Sequence, residues 1–73
     1  MPCQIVMDAT GDTRHDFDVG DEAAVTEARK RFDELTDAGF VAAKRTASGR
    51  SELIRRFDPS AEETLFMPRL VGG

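Results

Sequence analysis

The hydrophobic pattern opens at period two. Cys3, Ile5 and Met7 fall on one apolar face, with Gln4, Val6 and Asp8 on the other, which predicts a strand over residues 3–9. Thr10-Gly11-Asp12-Thr13 reads as a turn, with Gly11 free to take a positive φ. Alternation resumes over Arg14–Val19, placing His15, Phe17 and Val19 inward and Asp16 and Asp18 outward. Two alternating runs across a glycine turn predict an antiparallel hairpin.

The period then lengthens. Ala24, Val25, Ala28, Phe32 and Leu35 recur at three- and four-residue spacing, while Thr26, Glu27, Arg29, Lys30, Asp33, Glu34 and Asp37 face away. Asp21 is the expected N-cap and Gly39 the expected stop, giving a helix of roughly 16 to 18 residues. Asp21-Glu22 suits the positive end of the helix dipole and needs no catalytic role.

Phe40–Thr46 predicts a third strand, Ala47–Arg50 a tight turn and Ser51–Phe57 a fourth strand. Pro59 breaks that strand, and Ser60 caps a single helical turn over Ala61-Glu62-Glu63. A short last strand covers Thr64–Met67 and ends at Pro68. The five phenylalanines, at 17, 32, 40, 57 and 66, are assigned to the core.

One helical stripe and one set of inward strand residues make a two-layer α+β domain. The expected architecture is a mixed sheet of about four or five strands against one α-helix, in ββαββ order with a short last strand. The first and last strands lie side by side in mid-sheet, parallel and joined by a right-handed crossover. Residues 1–67 form the domain, and residues 68–73 a flexible tail that projects from the end of a central strand.

Composition narrows the function. A chain of 73 residues is one domain with a thin core and little room for a walled catalytic cleft. Its net charge of −4, from 14 acidic and 10 basic residues, argues against general nucleic-acid binding. The single Cys3 forms no internal disulfide, and no run approaches the roughly 18 apolar residues of a membrane span. With no charged-then-apolar leader, the expectation is a cytoplasmic protein without a membrane partner.

Most candidate chemistry has a plainer explanation. His15 lies among Asp12, Asp16 and Asp18, but alternation sends Asp16 to the opposite face, short of the three or four convergent ligands a metal needs. Cys3 on an apolar face behaves as a small buried hydrophobe. Glu62-Glu63 fits a helix start. Lys44, Arg45, Arg50, Arg55 and Arg56 gather on the second hairpin, a docking face for an acidic partner or a solvated surface. No cofactor, metal or catalytic residue is expected.

The stretch that remains is Phe66-Met67-Pro68-Arg69-Leu70-Val71-Gly72-Gly73. Without Cβ atoms, Gly72 and Gly73 can thread a narrow channel. Pro68 stiffens the exit, Arg69 offers a charged fork to a carboxylate, and Leu70 is an apolar anchor with Val71 beside it.

The order of elements over nearly the whole chain, with the ending Arg69-Leu70-Val71-Gly72-Gly73, resembles the ubiquitin-like proteins of the β-grasp fold, in particular bacterial ubiquitin-like modifiers. The resemblance implies that the Gly73 carboxylate is activated by an adenylating enzyme and passed by a conjugating enzyme to an amine on a target protein. A deconjugating peptidase would reverse the step. Such a chain is a substrate and carrier, not an enzyme. Related sulfur carriers use the same tail as a thiocarboxylate, and a third use of the fold is a non-covalent interaction module.

The chain also departs from ubiquitin. Its only lysines, and so its only side-chain acceptors for chain building, are Lys30 and Lys44. The third and fourth strands are joined by a tighter hairpin around Gly49, and no equivalent of ubiquitin's hydrophobic recognition patch is expected.

Overall fold

A computed structural model describes residues 1–69. Six elements follow in order: β1 (Cys3–Asp8), β2 (Gly11–Asp16), α1 (Glu22–Asp37), β3 (Phe40–Arg45), β4 (Ser51–Ile54) and β5 (Glu63–Pro68). The strands form one mixed sheet in the order β2-β1-β5-β3-β4. β1 and β5 are parallel neighbours inside it, and the other pairs are antiparallel. This α+β arrangement, one helix against a five-stranded mixed sheet, is compatible with a β-grasp.

The helix forms as its pattern predicts. The Asp21 carboxylate accepts from the Ala23 and Ala24 amides at 3.0 and 3.3 Å, satisfying donors that have no partner inside the helix. Ala28 and Phe32 are buried, and Ala24, Val25 and Leu35 are half-buried. Gly39 then turns the chain at φ +101°, a left-handed conformation that disfavours other residues.

The core sits between α1 and one face of the sheet. Phe32, Ala42 and Phe66 are its buried centre, with Val6, Leu35, Phe40, Ile54 and Phe57 packed around them. Phe32 meets Phe66 edge-on at 5.6 Å and Phe57 at 6.1 Å, and Phe57 meets Phe17 at 6.0 Å. Burying each large ring contributes about 1.5–3 kcal/mol, and each such contact about 0.5–1.5 kcal/mol more. All five phenylalanines therefore belong to the core or pack against it.

Several local expectations give way to side-chain hydrogen bonding. The first hairpin turns through Ala9 and Thr10 alone, since Asp8 pairs with Gly11. Asp8 Oδ1 accepts from the Thr10 amide and hydroxyl at 2.8 and 2.6 Å, closing the turn earlier than the glycine cluster suggested. β2 consequently ends at Asp16, and Val19 is 54% exposed rather than inward. It lies on a turn in which Asp18 accepts from the Gly20 and Asp21 amides.

No helical turn forms at 61–63. Asp58 Oδ1 instead accepts from the Ser60 amide and hydroxyl at 2.9 and 2.6 Å, so the hydroxyl expected to cap a helix is spent on the preceding turn. β4 ends at Ile54, three residues short of Phe57. β5, expected to be short, runs six residues and includes Pro68. The order is therefore ββαβββ.

Candidate functional site

β5 is flanked on both sides, by β1 through Val6↔Phe66 and by β3 through Phe40↔Pro68. Proline donates no ladder hydrogen bond, so Pro68 suits the last position of a strand. Pro68, expected at the start of the tail, is the last residue of β5. Arg69 follows it, exposed and without a described salt bridge, beside the turn at Gly39. Leu70, Val71, Gly72 and Gly73 lie outside the described residues.

Two clefts adjoin this exit. One, of about 260 Å³, lies among Ala38, Gly39, Phe40, Pro68 and Arg69. The other, of about 340 Å³, brings Arg55 and Leu53 from the end of β4 to Val41, Gly39 and Arg69.

The sheet face away from α1 also carries apolar residues. Since Val6, Ala42, Ile54 and Phe66 pack toward the helix, the intervening residues point the other way. The register sets Ile5 beside Leu65, Leu65 beside Ala43, Ala43 beside Leu53, and Val41 beside Met67. Leu53 is 75% exposed, Ile5, Val41 and Met67 are half-buried, and Ala43 and Leu65 are buried. These apolar positions come from four strands, and of them only Leu53 is exposed. Charged pairs flank them: Arg14 with Asp16 at 3.0 Å and Arg45 with Glu63 at 3.9 Å.

The basic cluster expected on the second hairpin is divided between faces. Lys44 reaches Asp58 at 2.8 Å and Glu52 at 3.9 Å, whereas its neighbour Arg45 pairs with Glu63. The Lys44 ammonium holds Asp58 down at about 2, helped by the Ser60 hydrogen bonds, and Asp58 in turn raises the Lys44 pKa. A lysine kept protonated and bonded to a carboxylate is a poor amine nucleophile. Lys30 lies exposed on α1.

Gln4 was missed by the pattern. It is fully buried beneath α1, where its Nε2 donates to the Ala28 carbonyl at 2.9 Å and its Oε1 accepts from Arg31 at 2.8 Å. A lone polar residue in an alternating strand gives no sign of being covered by a helix. His15 sits beside Gln4 in register, and burial with the nearby Arg31 charge lowers its pKa. Cys3 is buried and burial raises its pKa, which disfavours a reactive thiolate. Among the described residues, no three His, Cys, Asp or Glu side chains converge as metal ligands, and no helix is long and apolar enough to cross a membrane.

The arrangement is thus a small scaffold presenting an apolar sheet face and, at one end of it, the base of its last segment. No protein-family model, no curated protein and no solved structure matches this chain.

Proposed function

We propose that this chain is a ubiquitin-like protein modifier, used through the carboxylate of Gly73. The observation that carries the reading is the position of Arg69: it follows β5, which pairs with β1 as far as Phe66 and with β3 as far as Pro68, and Leu70-Val71-Gly72-Gly73 follow it in sequence. A segment rooted there starts from a strand end still paired with β3, which suits insertion into a partner's active site.

In this reading the chain supplies reach and recognition, and its partners supply the catalysis. The Gly73 carboxylate attacks the α-phosphorus of ATP, giving an acyl-adenylate and releasing pyrophosphate. A thiolate of the activating or conjugating enzyme then displaces AMP, and a target amine displaces that thiolate to leave an amide. The chain itself is a substrate and not an enzyme. Arg69 and the apolar sheet face are the surfaces offered to those partners.

Intact mass after incubation with a candidate adenylating enzyme and ATP tests the reading. An enzyme-linked thioester or an amide adduct dependent on Gly73 supports conjugation. A mass gain equal to one sulfur-for-oxygen exchange supports the sulfur-carrier alternative instead. If neither forms and removal of Gly73 changes nothing in cells, both fail. The apolar sheet face favours a second reading, a non-covalent interaction module, which tolerates residues appended after Gly73.

A further inference from the structure

We propose that the cleft where β4 leaves the sheet binds an extended acidic segment of a partner protein. Arg55 and Arg69 hold its carboxylates, and an adjoining apolar side chain packs on Val41 and Leu53. The cleft follows from unequal ladders. β3 pairs with β5 as far as Phe40↔Pro68, but with β4 only as far as Ala42↔Ile54. The chain bends away at Arg55, opening about 340 Å³ beside the β5 exit.

Charge distinguishes this cleft from the rest of the sheet. Arg14 and Arg45 are matched by Asp16 and Glu63, whereas Arg50, Arg55, Arg56 and Arg69 have no ion-pair partner among the described residues, and of these Arg55 and Arg69 line this cleft together. Among the described residues, no carboxylate lines the cleft. In a chain of net charge −4, two unmatched guanidinium groups at one cleft concentrate positive potential there. A guanidinium is also a planar donor that engages a carboxylate through two parallel hydrogen bonds.

The remaining lining selects a peptide over a free anion or a nucleic acid. Val41 and Leu53 offer apolar surface that a phosphate backbone would leave uncovered, and Leu53 is 75% exposed. A Cβ placed on Gly39 would meet nothing within 4 Å, so the rim stays open to an approaching main chain. The inference requires no covalent chemistry at Gly73.

The test is an amide-resolved NMR titration of the full chain with a blocked peptide of alternating glutamate and leucine. Controls are the same peptide with glutamine for glutamate, and sodium acetate. The expected result is a set of shifts confined to Gly39–Val41, Leu53–Arg55 and Arg69, with affinity falling as salt rises. Arg55→Gln and Arg69→Gln should each weaken binding by about 5- to 10-fold. Both positions are exposed, so the variants keep the parent spectrum elsewhere. Equal binding of the glutamine peptide, the same shifts from acetate alone, shifts centred elsewhere, or unchanged affinity in the double variant would overturn the proposal. None of these outcomes depends on whether Gly73 is joined to anything, so each reading can fail alone.

Discussion

Gln4 and Ala28 are joined across the interior: the Gln4 Nε2 donates to the Ala28 carbonyl at 2.9 Å from a position with no solvent exposure. The contact ties β1 to the middle of α1, and Arg31 completes it by donating to Gln4 Oε1 at 2.8 Å. With both ends satisfied, the buried amide is tolerated; with one end removed, the other is stranded.

Gln4→Ala should therefore destabilise the fold by about 2–3 kcal/mol, from lost hydrogen bonds and a residual cavity. Arg31→Met should cost about 1–2 kcal/mol by leaving Oε1 buried without its donor. Urea unfolding of the two variants and their double mutant measures both, and the double mutant should cost less than the sum.

The Lys44–Asp58 pair predicts an acid-sensitive window. Asp58 titrates at about 2 when folded, below its usual 3.8, so its contribution is present above pH 3.8 and is lost as pH falls toward 2. Asp58→Asn should lower stability at pH 6 and flatten the pH dependence between 4 and 2. Chemical denaturation across that range is the measurement.

His15 has the opposite chemistry and the same direction. Burial, and secondarily Arg31, favour its neutral form, so its folded pKa lies below the usual 6.5. The unfolded chain takes up the proton first, and stability falls as pH drops through 6.5. An NMR titration of the imidazole should show the depressed pKa, and Arg31→Met should move it part of the way back.

Phe66 links the core to the base of the last segment. It is fully buried on β5, two residues before Pro68, and meets Phe32 at 5.6 Å. Phe66→Ala should cost about 3–5 kcal/mol, comparable to the whole stability of a domain this small. Circular dichroism and thermal unfolding should show a chain largely unfolded near 37 °C.

How much was legible in the sequence depended on whether one element carried its own signal. The helix did: its stripe, the Asp21 cap and the Gly39 stop lie within one stretch, and all three hold. So did the parallel neighbourhood of the first and last strands, which follows from chain connectivity. The turns were less legible, because Asp8 and Asp58 each captured a backbone amide and a hydroxyl two residues on, and the Ser60 hydroxyl had been assigned to a helix cap. Arg55 and Arg69 were each legible as candidate docking groups, but neither their shared cleft nor the apolar residues of the outer sheet face were. Ile5, Val41, Leu53 and Leu65 become neighbours only through the register, and Arg55 lines one cleft with Arg69 only because β4 ends at Ile54.

The most direct measurement of the central claim uses the chain's own cleavage chemistry. Trypsin cuts after Arg69, so any protein joined to Gly73 through a lysine keeps Leu70-Val71-Gly72-Gly73 as a branch on that lysine. Mass spectrometry of tryptic digests from cells making the chain should find this four-residue remnant on target lysines. It should vanish when Gly73 is deleted. Digests that contain abundant peptides of the chain and no branched lysine, under conditions where the chain is active, would contradict conjugation.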